Sequence, residues 1–192
     1  MKKILISTAV ALFAATAPTA ALAQARPAIL IVDSERVLSE CTACKSASTQ
    51  LQSKQAALRT RAQQLQTQLQ TEGKPIQAAV DALNGKAPDA ALQARIKAFQ
   101  TKEQAAQQEL ATSQRSLEST AANVQQQIGT RLITIVEQVR ANRGAAIVLS
   151  KNSTMANDNA IDVTTDVLTS LNQQLPAVSV TPLPQQQTPQ GR

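Results

Sequence analysis

The stretch "SECTACKSA" places Cys41 and Cys44, the two cysteines of the chain, at C-x-x-C spacing. Such a pair can act as a thiol–disulfide catalyst, supply half of a zinc site, anchor a haem, or close a local clasp. A haem anchor needs histidine directly after the second cysteine, but position 45 is lysine and the chain has no histidine at all. Zinc would need two further ligands, which here could come only from carboxylates or from another subunit. A redox catalyst gains from a helix start, where the thiolate is favoured and the thiol pKa falls. The thioredoxin context, a parallel βαβ framework with the motif directly after a strand, is however missing. The remaining reading is a local disulfide at the junction of a short helix and a long one. Residues i and i+3 of a helix are near neighbours and can be bridged after slight adjustment. A bridge between subunits is the further alternative.

Which chemistry a cysteine pair performs depends on its compartment. The chain opens "MKKILISTAVALFAATAPTAALAQA", with Lys2 and Lys3 ahead of an apolar run that Pro18 ends and an A-x-A arrangement at Ala21 and Ala23. That order of features predicts a secretory signal peptide over residues 1–23, with cleavage after Ala25 as the competing choice. The run is too short and too interrupted for a membrane anchor, which needs about 20 apolar residues. The expected destination is an oxidising compartment in which a disulfide persists.

Composition narrows the function classes. The formal charge of +6 falls to +4 once Lys2 and Lys3 are removed, so the mature chain stays basic. There is no Trp or Tyr, and Phe13 and Phe99 are the two phenylalanines. Lack of histidine removes the commonest acid–base group near neutral pH. Lack of aromatics leaves no platform for stacking bases, so nucleic acid is not an expected partner. The abundance of Ala, Gln, Leu, Ser and Thr suits long helices.

The elements that must position the cysteines follow from periodicity. "AILIV" at 28–32 and "AAIVLS" at 145–150 read as short buried strands, and "STMAN" at 153–157 as a third. "SERVLSE" is a turn or two of helix capped by Asp33 or Ser34. Leu51, Leu58 and Leu65 recur every seven residues, as do Ala62, Leu69, Ile76 and Leu83 offset by four, which sets one heptad register. Gly73 and Pro75 predict a kink or short break in it. "NGKAPD" at 84–89 is the strongest turn signal. A second register runs back through Leu92, Ile96, Phe99, Glu103, Ala106, Leu110, Ser113, Leu117, Thr120 and Val124. It then slips to Ile128, Leu132, Ile135 and Val139. Gly144 ends that helix, with Arg140 and Arg143 at its negative end. "DVTTDVLTSLNQQL" reads as a short amphipathic helix capped by Thr164. The Pro- and Gln-rich residues 176–192 are expected to be disordered.

The fold class is therefore mainly α. A long antiparallel helical hairpin (42–142, tip near 84–89) is inserted into a small strand-containing body made of 26–41 and 143–175. Strands of this size cannot bury a sheet alone. Ile29, Leu30, Ile31 and Val32 with Ile147, Val148 and Leu149 are thus the expected oligomerisation strands, shared among copies.

The chain resembles the Skp (OmpH-like) periplasmic chaperones. The resemblance is carried by the signal peptide, by "AILIVDSERVLSE", by the hairpin, and by "AAIVLSKNSTMANDNAIDVTTDVLTSLN". In the last stretch Ala156-Asn157, Asp162-Val163-Thr164 and Asp166-Val167-Leu168 stand at the family's motif positions, and Met155 occupies a slot that is often Tyr. The resemblance extends over nearly the whole mature chain up to about Leu175. It implies a periplasmic homotrimer, jellyfish-like, whose strands build a central barrel from which the hairpins hang. It also implies ATP-independent holding of unfolded outer-membrane β-barrel proteins, with no enzymatic activity and no cofactor.

The residues are compatible with that role. Between Lys45 and Arg115 there are ten Lys/Arg against five Asp/Glu, so the arms are net positive. Lys54, Arg59, Arg61, Lys74, Lys86, Arg95, Lys97 and Lys102 form the expected basic surface for acidic unfolded clients. The same surface suits anionic lipid or lipopolysaccharide. Two other readings are a thiol–disulfide or redox-responsive protein using Cys41 and Cys44, and a purely structural coiled coil of the envelope.

Overall fold

The computed structural model describes residues 29–183; the expected signal peptide lies outside them. The β-branched run Ile29–Val32 forms β1, and Asp33 then caps the helix α1 (Ser34–Glu40) by accepting the Arg36 N–H at 2.9 Å. Helix α2 spans Thr42–Asp81 and α3 spans Ala90–Arg143. At 1.5 Å per residue these rods are about 60 and 80 Å long. Strand β2 is Ile147–Ser150, and α4 is Thr164–Gln174.

The turn between the arms is built by its sequence. Asn84 (φ 47°) and Gly85 (φ 85°) both take left-handed conformations, and the Lys86 N–H closes on the Leu83 carbonyl at 3.0 Å. Asn-Gly tolerates this pair of torsions better than other dipeptides. Asp89 then caps α3 by accepting the Leu92 N–H at 2.7 Å. At the far end Gly144 (φ 65°) stops α3, its N–H and that of Ala145 turning back to the carbonyls of Ala141 and Arg140. This is the left-handed helix stop that glycine permits.

The heptad expectation holds along the arms. Leu65 on α2 and Leu92, Ala106, Thr120 and Val124 on α3 are buried, while Leu51, Leu58, Ala62, Leu69, Ile76 and Leu83 are half-buried. The seam continues after the slip through Ile128, Ile135 and Val139, which are buried in the body. There they join Leu30, Val32, Val37, Cys41, Ala43, Cys44, Ala47, Val163, Val167 and Leu171 in one core. Strands β1 and β2 pair in parallel, Ile29 opposite Ile147 and Val32 opposite Ser150. On its other side β1 is bridged by Asp162, whose neighbour Val163 donates its N–H to the Ile31 carbonyl at 2.9 Å.

Four expectations need correction. α2 runs through Gly73 and Pro75 without ending. Pro75 lies on the exposed face, where the carbonyl it leaves without a donor can meet water. "STMAN" forms no strand: a 3-10 turn at Lys151–Ser153 leads into irregular chain. Thr164 does not cap α4; the N-cap is Val163, and the Thr164 hydroxyl serves another backbone group. Of the stretch expected to be disordered, residues 176–183 instead lie along α3 through specific hydrogen bonds, and 184–192 lie outside the described residues.

Candidate functional site: clasp, arm and strap

At the base of the arm the chain passes from α1 to α2 through one residue. Cys41 ends α1, its N–H on the Val37 carbonyl at 2.9 Å, and starts α2, its sulfur accepting the Cys44 N–H at 3.1 Å. Cys41 and Cys44 are joined as a disulfide with Cα atoms 5.2 Å apart. The first-turn N–H groups of a helix lack internal partners. Cys41 takes one of them, and Asn172 of α4 takes the Thr42 N–H at 2.9 Å. The clasp therefore stands inside the core, with Cys41 fully buried and Cys44 9% exposed. Among the described residues no three of His, Cys, Asp and Glu gather closely enough to hold a metal ion.

A polar knot locks the two chain ends together. The Asp33 N–H donates to the Thr164 hydroxyl at 2.9 Å, and the Thr164 N–H donates to Asp162 Oδ1 at 2.9 Å. Lys151 Nζ reaches Asp162 Oδ2 at 3.1 Å. Burial pushes the Asp162 carboxyl up, but the hydrogen bonds from Thr164 and the Lys151 cation outweigh it and hold the group below its ordinary range. In the sequence Asp162 and Thr164 stand out only as family-motif positions and, for Thr164, as a helix cap, and nothing there marks their role at β1. The role was not visible because the partners are 131 positions apart.

The sheet leaves apolar surface open. Ile29 and Ile147 face each other across the strand pair and are 41% and 46% exposed, and Leu149 on the same face is 38% exposed. Leu30, Val32 and Val148 turn to the core, whereas Ile133 on α3 stands 73% exposed. Among the described residues β2 pairs with β1 alone, so its outer edge is open.

Along the arm the expected basic residues divide into two groups. Arg61 binds Glu109 on the opposite helix through two hydrogen bonds of 2.6 and 3.0 Å, and Lys102 pairs with Glu72 across the seam. The hydrogen bond from Arg61 holds the Glu109 carboxyl below its ordinary range, and Glu109 raises the Arg61 guanidinium in turn. These two cations tie the arms. Lys54, Arg59, Lys74, Lys86, Arg95 and Lys97 are exposed. No helix among the described residues is long and apolar enough to cross a membrane.

The strap at 176–183 was missed in the sequence. Its hydrogen bonds come from Ser119, Asn123 and Gln127, spaced four apart on one face of α3. Alternating Val178 and Val180 were the available signal, masked by the prolines and glutamines around them.

A parallel strand pair closed around a long inserted helical hairpin defines the molecule as a strand-based body with a helical arm. The family profile described as Outer membrane protein (OmpH-like) matches residues 28–171, and the chain belongs to that family. In fold it is similar to a crystal structure described as that of a candidate outer membrane chaperone (OmpH-like) from Caulobacter crescentus CB15. The TM-score is 0.68 at 20% identity, covering 84% of this chain and 94% of that one. No curated protein sequence matches.

Proposed function

We propose that the protein is a periplasmic, ATP-independent holdase that binds unfolded outer-membrane β-barrel proteins and keeps them from aggregating on the way to the outer membrane. Membership of the OmpH-like family supports a chaperone role in general. The observation that carries the finer reading is the arm itself, a long polar hairpin with an excess of cations, six of the eight expected ones standing exposed outside the arm-to-arm pairs. Exposed cations of one sign steer acidic chains and anionic surfaces toward a binding region, and the effect weakens with salt. Anionic lipid or lipopolysaccharide is a second partner for the same surface.

The body acts as a homotrimer. Ile29, Ile147, Leu149 and the open edge of β2 are the surface that copies would share, since an exposed apolar strand edge is otherwise a site of aggregation. The core setting of Cys41 and Cys44 favours a clasp over a thiol-exchange site. Light-scattering mass of the mature protein in low salt, with and without a urea-diluted β-barrel client, tests the proposal. The expected result is a mass of three subunits that rises by one client while precipitation is suppressed. A monomer or dimer that leaves the client to precipitate overturns it.

A further inference from the structure

The chain after α4 does not leave the molecule. It turns at Leu175 and runs extended along α3, with Val178, Val180 and Leu183 half-buried and Ser179 and Thr181 facing solvent. What holds it is a ladder of side chains reading backbone. The Gln127 amide accepts the Ser179 N–H at 2.9 Å and donates to the Ser179 carbonyl at 3.0 Å, as a neighbouring strand would. Asn123 donates to the Thr181 carbonyl at 3.0 Å, and Ser119 accepts the Leu183 N–H at 3.0 Å. Gln127 is steadied in turn by Asn123 Oδ1 at 3.1 Å.

The register has a geometric cause. Four residues of helix rise about 6 Å, and two residues of extended chain advance about 6.6 Å. A ladder at positions 119, 123 and 127 therefore stays in step with an extended chain running the other way, at 183, 181 and 179. No rung touches a side chain of the strap, so sequence enters only through the apolar positions that face α3: Val178 and Val180 in alternation, then Leu183 after the bend at Thr181. Alternating apolar and polar residues in an extended chain are the pattern of a membrane β-barrel strand.

We infer that Ser119, Asn123 and Gln127 on α3 form a backbone-reading site for an extended segment with apolar residues at every second position, and that the strap 176–183 is its resident occupant, displaced by a strand of an unfolded β-barrel client. The ladder rests on the geometry above, and the client's identity rests on the holdase reading. Val178 and Val180 pack half-buried against the rim of the core, while Ser179 and Thr181 face solvent, so lifting the strap uncovers those two valines but breaks no helix or strand. A resident occupant lowers the apparent affinity for a competitor by the fraction of time the site is closed.

The test compares the full mature chain, a chain ending after Leu175, and a full-length Val178→Asp/Val180→Asp variant that frees the strap without removing it. The probe is a labelled nine-residue peptide of alternating valine and threonine, read by fluorescence anisotropy. Its controls are a peptide of the same composition with the valines grouped and one N-methylated at its centre. Both altered chains should bind the alternating peptide about tenfold or more tightly than the full chain, as expected for removal of a competing occupant. Asn123→Ala/Gln127→Ala in the shortened chain should abolish the gain, and both control peptides should bind weakly. Equal affinity for all three chains overturns the inference, as does equal binding of the grouped or N-methylated peptide. Aggregation suppression by the full chain is measured in parallel. Suppression with unmoved peptide affinities removes the ladder alone. Moved affinities without suppression remove the holdase reading and with it the client, while the ladder stands.

Discussion

The hydroxyl of Thr164 accepts the backbone N–H of Asp33 at 2.9 Å, and so joins the residue that follows β1 to the first turn of α4. Thr164 is 2% exposed and the bond is part-buried, so losing the hydroxyl takes from the Asp33 N–H its partner in a half-buried setting. Thr164→Val keeps the shape and removes the acceptor. It should lower unfolding stability by about 1–3 kcal/mol, the penalty for an unsatisfied buried donor. Urea unfolding at constant m-value measures it, and an unchanged midpoint would deny the knot its role.

Acid should loosen the molecule through three carboxylates, one of them Glu137, which the hydrogen bond from Arg140 holds below its ordinary range. Glu109 and Asp162 are both held below their ordinary ranges in the fold. A group with a depressed folded pKa contributes stability that is present above its unfolded pKa and lost as pH falls through the folded value. Thermal stability should therefore decline below the ordinary carboxylate range, about pH 4. Glu109→Gln should flatten part of that decline when melts at neutral and acidic pH are compared. Equal slopes for the two proteins would contradict the assignment.

Gly73 leaves room for the Phe99 ring across the seam. A Cβ placed there would stand 3.0 Å from Cζ of Phe99 on α3. Gly73→Val should force the ring aside and destabilise the protein by about 1–3 kcal/mol, as overpacking does. Adding Phe99→Leu should restore most of the loss. If the double variant melts no higher than Gly73→Val alone, the contact is not what limits the approach.

The clasp should be oxidised and dispensable. Alkylation of the denatured, unreduced mature protein followed by mass measurement should find no free thiol. Reduction, or Cys41→Ser/Cys44→Ser, should lower stability by no more than about 2 kcal/mol, because the loop it closes is so short. Loss of client protection on that substitution, with the fold retained, would instead favour thiol chemistry.

Much of this architecture is legible in the residues because its signals are local. "AILIV" and "AAIVLS" contain both strands, Asn84-Gly85 marks the tip, and the leucine spacing marks the seam. The misreadings have physical causes. Pro75 is a breaker in isolation, but in α2 it falls on the solvent face of a helix whose seam residues Leu69 and Ile76 stay engaged on either side. Thr164 has the side chain of a cap, yet a distant N–H competes for its oxygen. "STMAN" has strand-like residues but does not return along the open edge of β2, because a 3-10 turn at Lys151–Ser153 follows β2 directly and leads into irregular chain. The candidate site was least legible. Composition gives the charge of the arm, but only the fold shows that Arg61 and Lys102 are occupied in holding it shut. The strap's residues look like a tail until the α3 face they match is known.

The register that sets Ile29 against Ile147 also fixes an order of assembly. β1 is made before either arm, yet its parallel partner is made after both, so the pairing is of high contact order and must await the whole hairpin. Until then Leu30 and Val32 have no sheet to complete. A chain cut short anywhere within α3 would lack β2 and α4, and with them the means to close its body. The topology thus works as a completeness check: only a finished chain can present an arm on a folded base.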